Sequence, residues 1–231
     1  MRRMLAIMIC LGMLGVPVKA AEQEKLVAMT FDDGPSGRFT QRLLDGLEER
    51  GAKATFFLCG YRIEQYPELT DRIIAEGHEI GIHGYYHKAM QNMCRGDVIR
   101  EIKRSLELLP ENCGITFLRP PGGMCSECVQ SAAQQQDLAV LHWSVDPKDW
   151  ALQDSRIIKN TVLRQIRDGD VILLHDMSDS SVKAALDIVD ALQAQGFQFV
   201  TASELARAKG VEPVPGKKYA RFNSAKPEDV K

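Results

Sequence analysis

Two carboxylates stand side by side in Thr30-Phe31-Asp32-Asp33-Gly34-Pro35. Successive side chains alternate across a strand, so Asp32 and Asp33 can share one site only where the chain bends. Gly34-Pro35 supplies such a bend, and a metal cation there would keep one or both carboxyl groups ionised. The same residues also suit a plain turn with helix-capping acids. His83 and His87 lie four apart, which brings both imidazoles to one side of a helical or tightly turned segment. With Asp33 they form a two-histidine, one-carboxylate set. Such a set leaves coordination positions open to water and substrate, which suits a catalytic rather than a structural metal.

The elements that must position these groups follow from hydrophobic patterning. Short apolar runs rich in branched and aromatic residues predict strands over Lys25–Phe31, Ala54–Cys59, His78–His83, Ile115–Arg119, Ala139–Val145, Asp170–His175 and Phe197–Thr201. Between them, three-and-four apolar spacing predicts helices over Phe39–Arg50, Pro67–Glu76, Asp97–Leu109, Glu127–Gln136, Ser155–Arg167 and Val182–Gln195, with a short one at Ser203–Lys209. Gly51, Gly77, Gly114, Gly169 and Gly196 stand where helices should stop. Alternating strands and helices imply an α/β fold with a parallel sheet, and the uniform rhythm favours an irregular barrel over an open doubly wound sheet. In either architecture the C-terminal strand ends carry the chemistry. Here those ends hold Asp32-Asp33, His83 to His87, Arg119-Pro120-Pro121-Gly122-Gly123, Asp146 to Trp150 and His175-Asp176, with His142 inside strand five. Val211–Lys231, with prolines and glycines followed by lysines, reads as a flexible extension.

Thr30-Phe31-Asp32-Asp33-Gly34-Pro35, His83-Gly84-Tyr85-Tyr86-His87, Arg119-Pro120-Pro121-Gly122-Gly123, Asp146-Pro147-Lys148-Asp149-Trp150 and Leu173-Leu174-His175 together resemble the five ordered motifs of the polysaccharide deacetylases. This is the NodB homology domain of carbohydrate esterase family 4. The resemblance covers about Leu26 to Leu205 and implies a distorted (β/α)7 barrel, hydrolysis of acetyl groups on sugars, and a divalent metal, usually zinc, with cobalt, nickel or manganese as substitutes. It implies Asp33, His83 and His87 as metal ligands, Asp32 as general base, and Arg119 as the cation that holds the base. It further implies His175 as general acid, tuned by Asp146 or Asp149, and a backbone donor for the oxyanion in the loop after Arg119. Proline has no N–H, so Gly122 is the candidate donor. Trp150 is read as an apolar wall of the groove, with a buried core position as the alternative. Two positions depart from the family pattern: Gly84 replaces Ser or Thr, removing a loop-fixing hydrogen bond, and Gly122 replaces Tyr.

Composition is consistent with this class. The 231 residues are 45% hydrophobic and 26% charged, the profile of one folded globular domain rather than a disordered or fibrous chain. Met1–Ala20 reads as a secretory signal, with Arg2 and Arg3 before an apolar stretch and Val18-Lys19-Ala20 as cleavage site. That stretch is too short to span a bilayer, so an exported protein of the periplasm or exterior, without stable membrane insertion, is expected. The domain is then read as 21–209 and the tail as 210–231. With Arg2, Arg3 and Lys19 set aside, 26 basic side chains face 31 acidic ones, which argues against nucleic acid as a partner. The expected partner is an acetylated glycan, and oligomeric state stays open.

Export would expose Cys59, Cys94, Cys113, Cys125 and Cys128 to oxidation. A structural Cys125–Cys128 disulfide is expected ahead of a redox site or half a zinc site, with Cys59 and Cys94 on the same face and Cys113 left over. Three functions follow from the sequence: a secreted metal-dependent glycan deacetylase first, a weakly active glycan-binding relative second, and a metal hydrolase of non-sugar amides third.

Overall fold

The computed structural model describes residues 24–223. The expected signal segment and residues 224–231 lie outside them. Within the described residues eight strands form one curled sheet: β1 (Lys25–Asp32), β2 (Thr55–Leu58), β3 (Glu79–Ile82), β4 (Phe117–Leu118), β5 (Ala139–Leu141), β6 (Val171–His175), β7 (Phe197–Phe199) and β8 (Lys218–Tyr219). Their order is β6-β1-β2-β3-β4-β5-β8, with β7 also paired to β1. All the strand pairings are parallel. Val145, just past β5, bridges Ile172 of β6 and brings the two flanks of the sheet together. This is the distorted barrel that the motif resemblance implies.

Among the described residues eight α-helices clothe it: α1 (Arg38–Glu49), α2 (Gly60–Gln65), α3 (Pro67–Ala75), α4 (Arg95–Leu106), α5 (Glu127–Gln135), α6 (Ser155–Gln165), α7 (Asp179–Gln193) and α8 (Ala202–Ala208). Along β1 the pleat sorts the side chains. Val27, Met29 and Phe31 pack in the larger core with residues of α1 and α7, while Ala28 joins Phe57, Phe117, Leu141 and Val171 in a second core inside the barrel. Residues two apart share a face, so Thr30 and Asp32 also point inward. The main chain thereby delivers a carboxylate to the mouth of the barrel.

The structure departs from the sequence expectation in four places. Helix α2 has a single buried apolar side chain, Ile63, too little to make a periodic pattern. Strand β5 stops at Leu141 rather than Val145, because the Leu141 and His142 carbonyls accept from the Arg119 guanidinium at 2.9 and 2.8 Å. The segment expected as a flexible tail instead returns to the sheet as far as it is described: β8 pairs with β5, Phe222 is fully buried, and its N–H donates to the Gly169 carbonyl. Two aromatic residues, Tyr219 and Phe222, outweigh the polar composition around them.

The fourth departure concerns the cysteines. The five thiols among the described residues are free and the expected Cys125–Cys128 bridge is not formed. Cys59 is sealed in the core with its thiol against the His83 carbonyl at 4.0 Å, whereas exposed Cys94 caps α4 and donates to Asp97 at 3.2 Å. Among the described residues no helix is long and apolar enough to cross a membrane.

Candidate active site

Asp32 ends β1 and is nearly sealed from solvent. Arg119, at the end of β4 and wholly buried, donates to its Oδ1 at 2.7 Å. The other guanidinium donors reach Thr30 Oγ1 at 2.8 Å and the Leu141 and His142 carbonyls, and the group lies 3.9 Å above the Phe57 ring. This is no surface salt bridge. Arg119 ties β1 to β5 beneath the site, and its planar fork is suited to that number of fixed acceptors. His142 lies beside it rather than in the groove. Burial first, then the Arg119 and Lys218 charges, push its imidazole down to about 4.

Asp33 converges on Asp32 through its own backbone. Its φ of 72° swings the chain out of the strand pleat, one residue before the expected Gly34-Pro35 bend. Gly34 is required for a different reason: a Cβ there would lie 2.9 Å from both carboxyl oxygens of Asp176. Asp176 is fully buried, accepts from Thr40, and takes the Ser36 hydroxyl on its backbone carbonyl. It thus ties the loop after β1 to the end of β6. Burial raises the Asp176 carboxyl to about 6.

His83 and His87 meet Asp33 through a tight turn rather than a helix. Gly84 has φ 79° and His87 φ 54°, and the two imidazoles lie 5.2 Å apart. His83 Nδ1 lies 2.7 Å from the Arg119 carbonyl. A carbonyl only accepts, so Nδ1 carries the proton and Nε2 presents its lone pair. His83 Nε2 and His87 Nε2 approach Asp33 Oδ1 at 3.3 and 3.0 Å. Burial opposes ionisation of Asp33, yet the two imidazoles in their protonated forms, the state without a bound cation, outweigh it and hold the carboxyl far below the usual carboxylate range.

The Gly84 departure has a structural counterpart. A Cβ at Gly84 would meet Met90 Cε at 2.6 Å, and the position is left-handed. The turn is instead fixed by Glu101 of α4, a buried residue whose Oε2 accepts from the Tyr85 and Tyr86 N–H groups, each at 2.9 Å. Glu101→Ala strands the buried Tyr85 N–H, a cost of about 1–3 kcal/mol. Loss of such a supporting partner commonly weakens metal binding about 10–100-fold. Zinc titration and thermal melts should show both losses in Glu101→Ala and recovery of most of each in Glu101→Gln. Unchanged zinc affinity in Glu101→Ala would remove Glu101 from this role.

On the facing wall, His175 ends β6. Its backbone N–H and its Nδ1 both reach the Asp149 carboxylate at 2.8 Å, so Nδ1 is protonated and Nε2 is left facing the groove. Burial would lower the His175 pKa, but Asp149 first, then Asp32 and Asp33, raise it to about 9. Asp149, nearly sealed, is therefore the carboxylate on this histidine. Asp146 instead accepts from the Lys148 N–H at 2.8 Å and lines the groove.

Asp32, Asp33, His83, His87, Gly122, Asp146, Trp150 and His175 together border an open groove of about 410 Å³, with Trp143 and Leu173 beside them. Arg119 and Asp149 stand behind it. Trp150 is 69% exposed at the rim, which excludes the core alternative. Gly122 has φ 69°, a backbone that a side chain such as Tyr adopts only with strain. The sequence assigns no role to Trp143 or Glu101, and it places Asp176 at a strand end without a role. Trp143 has a signal in its place within the expected strand five, whereas Glu101 lies mid-helix with none.

The donor set fits a divalent cation. Asp33, His83 and His87 each offer an atom within 4.8 Å of the others, the only such group among the described residues. Asp33 Oδ1 is buried without a hydrogen-bond partner. Two imidazoles and one carboxylate suit zinc and neighbouring first-row metals.

The family model for polysaccharide deacetylases matches residues 19–141. The chain belongs to the polysaccharide deacetylase family. It is 36% identical over 192 residues to a peptidoglycan-N-acetylglucosamine deacetylase of Bacillus cereus, covering 80% of this chain and 90% of that one. It is 35% identical to the peptidoglycan-N-acetylmuramic acid deacetylase PdaC of Bacillus subtilis, over 80% of this chain but 40% of that protein. The chain thus spans less than half the length of PdaC. The structure also resembles a family 4 acetyl xylan esterase from Clostridium thermocellum in complex with a cobalt ion, with TM-score 0.79 and 32% identity. That match covers 85% of this chain and 98% of the esterase. Members of this family of hydrolases deacetylate glycans, and the five motifs sit on the strand ends of the shared barrel.

Proposed function

We propose that this polysaccharide deacetylase is an exported, metal-dependent enzyme that removes acetyl groups from an N-acetylated glycan. Peptidoglycan or chitin-like oligosaccharides stand ahead of O-acetylated xylan. The observation that carries this reading is the placement of Asp33, His83 and His87 in one groove, between the Asp32–Arg119 pair and the His175–Asp149 pair. A divalent cation bound there would supply Lewis acidity, polarising the acetyl carbonyl and acidifying the attacking water.

The protein's own groups do the rest. Asp32, anchored through one oxygen by Arg119, removes a proton from the attacking water with the other, Oδ2. The Gly122 N–H donates to the oxyanion as it forms. His175, protonated at Nε2, gives that proton to the leaving amine of the sugar, while Asp149 holds the ring and stabilises its charged form. Trp150 and Trp143 offer apolar faces along the groove, suited to the flat sides of sugar rings.

One consequence is a pH dependence set by His175. Activity requires its proton, so kcat/KM should fall as pH rises on a limb held above the ordinary histidine range by Asp149. In Asp149→Asn the lowering by burial is no longer opposed by that carboxylate, and the limb should move to lower pH. Coincident profiles for the two proteins would contradict the acid assignment. The substrate class is tested by acetate release from N-acetylated chito-oligosaccharides, peptidoglycan and acetylated xylan. Release from either N-acetylated glycan supports the reading, and release from xylan alone overturns it.

A further inference from the structure

The turn that carries His83 and His87 also builds a cationic hollow of about 350 Å³, lined by Tyr86, Lys88, Met93, Asp97, Arg100, Glu101 and Arg104. Tyr86 and Lys88 flank His87 in sequence, so this hollow adjoins the metal-ligand turn. Lys88 Nζ lies 4.7 Å from the centroid of the Tyr86 ring. The Arg104 guanidinium lies 5.0 Å from the same ring and 3.6 Å from that of Tyr85. Arg104 also donates to the Tyr86 hydroxyl at 3.0 Å. Two cations are therefore held around one exposed aromatic ring.

The acids nearby are already engaged. Asp97 pairs with Arg100 and accepts from the Cys94 thiol. The Oε2 of Glu101 takes the two turn N–H groups. Glu64 accepts from the Tyr85 hydroxyl at 2.6 Å. Among the described residues, neither Lys88 nor Arg104 has a carboxylate within ion-pair distance. Two cations at one exposed ring, neither in ion-pair contact with a carboxylate although Glu64 lies near enough to favour the charge of Arg104, form a place where an external carboxylate can be held by charge-assisted hydrogen bonds.

The geometry points to a carboxylate-binding subsite on Lys88, Arg104 and Tyr86, which selects glycans bearing an acid group beside the acetylated sugar. The ligand class is an N-acetylated glycan with a carboxyl substituent, such as the ether-linked lactic acid of N-acetylmuramic acid, in preference to neutral chitin. This rests on the deacetylase reading and sharpens its substrate. Arg104 presents the planar donor pair that a carboxylate accepts, and Lys88 adds a mobile point charge.

The test uses the zinc-loaded mature protein and an N-acetylglucosamine–N-acetylmuramic acid tetrasaccharide, with its lactyl carboxylates either free or converted to methylamides. Dissociation constants are measured calorimetrically and acetate release is followed in parallel. The free acid should bind about tenfold tighter than the amide, a ratio that shrinks with added salt. Lys88→Met and Arg104→Gln should each drive the ratio toward one, and Lys88→Arg should retain it. Equal affinities for acid and amide, or a ratio that Lys88→Met leaves intact, overturn the subsite. A ratio near one with acetate released from both glycans would leave the deacetylase reading standing without it. An acid preference with no acetate released would support the subsite and sink the deacetylase reading.

Discussion

Arg119→Met is expected to cost about 3–5 kcal/mol of folding stability and to abolish measurable acetate release. The guanidinium is wholly buried and its donors satisfy Asp32 Oδ1, Thr30 Oγ1 and two carbonyls at the end of β5. Methionine fills part of the volume but leaves all four acceptors without that donor, and it leaves a carboxylate buried without its counter-charge. Arg119→Lys separates the two effects. It restores a charge near Asp32 but cannot reach acceptors spread across two strands, so stability should recover only in part. Thermal melts and urea titration of both variants measure this. A methionine variant that melts within a few degrees of the parent would show that Arg119 does not hold the barrel mouth together.

Asp32→Asn should lower kcat about 10²–10⁴-fold while the fold and the bound metal persist. Asparagine keeps the side-chain shape and retains an oxygen to accept from Arg119, but its amide cannot take a proton from water. The ligand atoms of Asp33, His83 and His87 are unchanged by the substitution. Steady-state acetate release, with zinc content measured on the same sample, separates loss of the base from loss of the metal. A variant that binds zinc and retains more than about a tenth of the parent kcat would assign proton removal to another group.

Much of this arrangement was legible in the sequence because it is written in short local runs. Seven strands and the principal helices followed from period and glycine punctuation, and the chemistry-bearing residues lie where each strand ends. The pairing of Asp32 with Asp33 was legible as a need for a bend, but its position was not. The bend falls on the left-handed backbone of Asp33 itself, a conformation that Asp adopts more readily than most non-glycine residues but too rarely to be read from one position. Gly84 could be read only as a missing hydroxyl. The acceptor that fixes its turn, Glu101, sits 17 residues downstream on α4, where a glutamate on a helix looks like any solvated charge. The choice between Asp146 and Asp149 likewise turned on tertiary contact, since only Asp149 reaches His175. The last strand was invisible because two aromatic residues in a polar segment make no period, yet burial of Tyr219 and Phe222 holds it in place.

Acetyl hydrolysis is expected to require one divalent ion on Asp33, His83 and His87. Acetate release from an N-acetylated chito-oligosaccharide or peptidoglycan fragment should be measured on protein stripped by a chelator and then titrated with zinc. The stripped protein should release no acetate, recovery should saturate at one zinc per chain, and His83→Ala should show no recovery. Release that survives chelation, or its absence from every N-acetylated glycan with one zinc bound, would contradict this requirement.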